Sequence, residues 1–154
     1  MSISATPTSA PSAGRTGVLA RVYSVLGVIL VVLVVIQILV AGSGLFTMAH
    51  QLDNNQSYTV AQWNDAVYWG IHFFNAFAIA IVALLMLGTA FLGGMSSQTK
   101  RFTGILIGLL VLQGILGFIP WPAPVAALHV FNAFAILGVA GYLTRSTWSF
   151  GSER

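Results

Sequence analysis

Four apolar runs, each long enough to cross a bilayer, dominate this chain and leave it very few folds. A membrane-spanning helix needs about 17–25 mostly apolar residues, because nothing in lipid satisfies an exposed backbone. The runs cover 21–42, 66–92, 103–119 and 125–144. Only 6% of the 154 residues are charged, against about 25% in a soluble domain. The sequence therefore predicts an all-α membrane protein, a bundle of four transmembrane helices occupying 19–146. Residues 1–18, rich in Ser, Ala, Thr, Pro and Gly, are expected to be a disordered tail, and 147–154 a second tail. Arg15 and Arg21 precede the first run as they would in a secretory signal. That run is about twice as long as a signal core, so it reads as a retained helix.

Orientation follows from the basic residues. Arg15, Arg21, Lys100, Arg101, Arg145 and Arg154 all fall on one side of a four-span arrangement. Both termini are therefore expected in the cytoplasm, with the protein in the inner (plasma) membrane. The polar segment 43–65 and the Pro-Trp-Pro-Ala-Pro connection at 120–124 would face outward. The segment 93–102 reads as a short Gly/Ser loop on the cytoplasmic side. Trp63, Trp69 and Trp121 fall at the outer boundary and Trp148 at the inner one, as an aromatic belt requires. Cysteine is absent, which excludes disulfides, thiolate metal sites, iron–sulfur clusters and c-type heme attachment. The net charge of +3 is scattered near span ends and gives no nucleic-acid surface.

Inside these spans one motif occurs twice. It reads His-Phe-Phe-Asn-Ala-Phe-Ala-Ile at 72–79 and His-Val-Phe-Asn-Ala-Phe-Ala-Ile at 129–136. The preceding helices match as well, each with one Gln near its outer end, Gln37 and Gln113, followed by small residues. The chain thus reads as two parallel copies of a helical hairpin, related by an axis along the membrane normal. Ionisable residues within a span are costly and mark function by default. His72 and His129, at matching depth in the outer half of the membrane, form the pair that axial ligation of a heme iron requires. Non-covalent heme b is the expected cofactor. Asn75 and Asn132 share a helix face with the histidines and, with Gln37 and Gln113, complete the candidate cofactor set. All four amides are also readable as interhelical polar bonding in a protein with a structural repeat and no cofactor. A zinc or copper site would need more ligands, and only His50, Asp53 and Asp65 stand near enough in sequence to complete one.

Gln113-Gly114-Ile115-Leu116-Gly117, a Pro-containing turn, and His129 early in the next helix resemble one four-helix half of the heme A synthase family. The likeness runs through residues 21–145, with Gln37 and Gly42 as the first-helix version. The chain also resembles small four-helix actinobacterial membrane proteins. The family resemblance implies heme ligands on the second and fourth helices, here His72 and His129. It also implies that a homodimer would rebuild an eight-helix assembly, or that a respiratory-chain or heme-pathway protein is the partner. The family's Glu three residues before the second-helix His is Trp69 here, and its following Arg is Phe73. The outer-loop cysteine pair and the second half are also missing. Heme A synthesis by this chain alone is therefore not expected, whereas electron transfer or heme handling is.

Overall fold

The computed structural model describes residues 13–54, 67–118 and 123–148. Among them are four α-helices and no strand: α1 (Ala13–Asp53), α2 (Val67–Leu92), α3 (Ser97–Phe118) and α4 (Ala123–Thr147). All four are long and apolar enough to cross a membrane. The helices form a ring in which α1 packs on α2 and α4, and α3 packs on α2 and α4. A common core of Leu30, Val34, Ile79, Ala83, Met86, Leu106, Ile136, Ala140 and Leu143 lies inside. Most other large apolar side chains face outward, Phe74 at 75% and Phe131 at 71% exposure among them. In a bilayer that outer face meets lipid.

Three expected boundaries move. Helix α1 has 41 residues, about 60 Å at 1.5 Å per residue, or twice the hydrocarbon thickness. It begins at Ala13, so 13–18 are helical and not part of a disordered tail. At its other end it continues through 43–53, which the sequence reads as outer loop. Gly42, Ser43 and Gly44 do not break it, and the Ser43 and Thr47 hydroxyls are satisfied within the helix by the carbonyls of Leu39 and Ser43, each at 2.9 Å. Gly44 also lets Tyr68 of α2 approach: a Cβ there would sit 3.4 Å from the tyrosine Cβ. His50 accordingly lies in the last helical turn of α1 rather than in a loop. Helix α3, in turn, starts at Ser97, six residues before the apolar run.

The turn between α2 and α3 is fully encoded. Gly94 takes φ +61°, the left-handed conformation that suits glycine. Met95 N–H bonds to the Ala90 carbonyl at 3.1 Å and Gly94 N–H to Phe91 at 3.3 Å, closing α2 in a Schellman motif. Ser96 then caps α3, its Oγ accepting the Thr99 N–H at 3.1 Å. Basic residues in a Gly/Ser stretch look like loop, but a serine cap lets Lys100 and Arg101 fall inside the helix.

Two polar contacts tie α1 to α3 and α4 at the end of the bundle that carries the described chain ends. Tyr23 of α1 reaches across the diagonal to Thr103 of α3, Oη to Oγ1 at 2.6 Å, with both side chains buried. Ser24 Oγ donates to the Thr147 carbonyl of α4 at 2.6 Å. Asp65, Trp63, Trp121, residues 1–12 and the stretch 119–122 lie outside the described residues.

Candidate functional site

At the opposite end the other diagonal is bridged by the two histidines. His72 enters from α2 and His129 from α4, with ring centres 6.4 Å apart and ring planes inclined by 44°. Both sit in the wall of a 260 Å³ cavity lined by all four helices. Val34, Gln37 and Ile38 contribute from α1, and Leu110, Gln113, Gly114 and Gly117 from α3. The apolar remainder includes Phe73, Phe77 and Phe118, with Phe73 edge-on to Phe118 across the α2–α3 seam at 6.4 Å.

The amides have a definite job in each hairpin. Asn132 Nδ2 donates to the Leu109 carbonyl at 2.8 Å and to Gln113 Oε1 at 2.7 Å. Asn75 Nδ2 donates to the Leu33 carbonyl at 2.9 Å and to Gln37 Oε1 at 2.6 Å. Leu33 and Leu109 each stand four residues before their glutamine. The same Asn–Gln clamp is therefore built twice, once between α1 and α2 and once between α3 and α4. Neither asparagine lines the cavity; each fixes the glutamine that does.

The clamp also sets the protonation pattern of His129. A backbone carbonyl only accepts, so Asn132 must present its NH₂ to Leu109 and to Gln113 Oε1. That turns the Gln113 NH₂ toward His129 Nε2, 3.0 Å away. A neutral imidazole that accepts at Nε2 carries its proton on Nδ1. His129 Nδ1 is buried and has no hydrogen-bond partner among the described residues, and the same holds for His72 Nδ1. A buried polar nitrogen left unpaired costs about 1–3 kcal/mol. Two at one site are exceptions of the kind that strain, a functional role, or a bound water or ion accounts for.

The two halves differ in detail. In the first hairpin Gln37 gives its NH₂ to the His72 backbone carbonyl at 2.9 Å. The His72 ring is instead stacked on Trp69, centres 5.8 Å apart and planes 12° apart. His129 lies against Gly117, where an added Cβ would come within 3.1 Å of Cε1 and 3.4 Å of Nδ1. Ala41 holds the corresponding place in α1, four residues after Gln37. One histidine is thus held by an aromatic plane, the other by an amide and a bare backbone.

All six residues singled out from sequence, Gln37, His72, Asn75, Gln113, His129 and Asn132, meet at this end of the bundle. Sequence reasoning missed Trp69 and Gly117 as supports of the rings. Both carried a signal: Trp69 is three residues before His72 and Gly117 four after Gln113, each on the same helix face. His50 stands apart, exposed, with Asn54 Nδ2 3.3 Å from its Nε2. Among the described residues no three His, Cys, Asp or Glu side chains gather as a metal site would need. No protein-family model, curated protein or solved structure matches the chain.

Proposed function

We propose that this chain is a membrane b-type heme protein in which His72 and His129 are the two axial ligands. The observation that carries the reading is their separation across the four-helix cavity. An iron midway between two imidazoles, with metal–nitrogen bonds of about 2 Å, sets the ring centres about 6 Å apart. The rings stand at 6.4 Å, and a rotation of one about the common axis leaves both bonds intact. His129 would offer a metal its Nε2 lone pair in exchange for the Gln113 bond at 3.0 Å, with its proton kept on Nδ1. The 260 Å³ space is smaller than a porphyrin, so holding one would require the helices to part.

Bound iron would supply a one-electron couple, and the chain's residues would fix its ligation and keep water from it. In this reading the Asn–Gln clamps are the mark of two parallel hairpin copies related by an axis along the membrane normal. Both termini face the cytoplasm, by the distribution of Lys and Arg, and the heme lies in the outer half of the plasma membrane. Electron transfer or heme handling is the role, with a second copy of the chain or a respiratory-chain or heme-pathway protein as partner.

The visible spectrum tests this. Protein expressed with heme supplementation should show the sharp α and β bands of six-coordinate low-spin heme when reduced. Colourless protein that also fails to take up hemin ends the proposal. A second reading, a small membrane protein or accessory subunit with no cofactor, has one observation in its favour. The Leu109–Asn132–Gln113–His129 chain of hydrogen bonds is already closed within the protein. It predicts that colourless outcome together with loss of folded protein on His129→Ala.

A further inference from the structure

We propose that the groove between α1 and α4, at the end of the bundle away from the histidines, holds one anionic phospholipid. Val28, Val31 and Val32 of α1 and Gly141, Thr144 and Arg145 of α4 line a space of 420 Å³, with Trp148 at its rim. Gly27 creates the close crossing beside it: a Cβ there would sit 2.7 Å from Thr144 Oγ1. The groove opens to the lipid side, with Val28 37% and Val32 51% exposed. Its lower wall is wholly apolar, which suits an acyl chain. Its upper end carries a guanidinium in the last turn of α4.

The charge decides the headgroup. The only acid among the described residues is Asp53, at the far end of α1. Arg145 therefore has no carboxylate partner among the described residues, at a depth where Trp148 belongs to the headgroup belt. An acyl chain gains little by leaving other acyl chains for a valine groove. The groove positions the lipid, and the Arg145 guanidinium selects it. One such cation at the membrane surface favours an anionic over a zwitterionic headgroup by about five-fold. A planar guanidinium also bonds a phosphate through two N–H groups, which lysine does not.

Native mass spectrometry of the full chain, released from vesicles of equal phosphatidylglycerol and phosphatidylcholine, reads the occupant directly. One retained phosphatidylglycerol is expected, at about five-fold preference, and inorganic phosphate should not compete it off. Arg145→Gln should remove the preference, while Arg101→Gln, an exposed cation outside the groove, should leave it. Gly141 lines the groove and has nothing within 4 Å of an added Cβ, so Gly141→Leu starts without a Cβ clash, projects into the groove and should lower retention with Arg145 intact. Equal retention of both lipids, an equal loss with Arg101→Gln, or full retention in Gly141→Leu would each overturn the proposal. The assay needs no heme, so its outcome is independent of the histidine site.

Discussion

Adding one methyl group at Gly117 tests whether the His129 ring is packed as tightly as the structure places it. A Cβ there meets Cε1 at 3.1 Å, several tenths of an ångström inside ordinary contact. The ring cannot recede freely, because Gln113 holds Nε2 at 3.0 Å. Overpacking of this sort costs about 1–3 kcal/mol, and loss of the Gln113 bond about 0.5–1.5 kcal/mol more. Against that, replacing glycine by alanine inside a helix gains about 0.5–1 kcal/mol. Gly114→Ala supplies the control. It lies one turn away on the same cavity wall with nothing within 4 Å of its Cβ, so it keeps the gain and has no clash. The glycine-to-alanine gain is common to both variants, so Gly117→Ala should be less stable than Gly114→Ala by about 1.5–4.5 kcal/mol, several degrees or more in melting temperature for a chain of this size. Thermal unfolding of both variants in one detergent, followed by circular dichroism, measures the difference. Equal melting temperatures, or a more stable Gly117→Ala, would refute the close packing of His129 on α3.

Further outcomes follow from the site. If the proposed heme is bound, His72→Ala or His129→Ala should convert its spectrum to high spin or abolish binding, and the double change should be little worse than the harsher single, because ligands of one iron do not act additively. His50→Ala, at the exposed end of α1, should leave the spectrum unchanged; a spectrum dependent on His50 instead would move the site. Asn132→Leu removes two hydrogen bonds and strands Gln113 Oε1, for a loss of about 1–3 kcal/mol in thermal or denaturant unfolding. Asn75→Leu, at the less buried clamp, should cost less, and the reverse order would contradict the burial of the two asparagines.

The four spans and the identity of the six polar residues inside them were legible because lipid penalises each departure from an apolar run. Pairing was not. Nothing local tells Asn132 to choose Gln113 and the Leu109 carbonyl over a cofactor edge; that depends on two helices being docked at one register. Trp69 read as a belt residue because its distance from the helix start is local, whereas its stacking on His72 is set by side-chain direction. The extension of α1 was missed for a different reason. Gln51 and Asp53 signal exposure to water, which a helix projecting beyond the bilayer meets as readily as a loop does.

Each Asn–Gln clamp lies wholly within one hairpin, whereas the two histidines come from different hairpins. Synthesis from the N-terminus therefore delivers the first hairpin with its clamp closed and its His72 already presented, but with no partner ring. The site exists only after the final helix has entered the bilayer and packed against α1. Any cofactor must be captured last, and its capture locks a union of halves that otherwise rests on helix packing and on the Tyr23–Thr103 and Ser24–Thr147 contacts at the far end. A chain truncated before α4 would leave the ribosome with half a site and no means of holding anything in it.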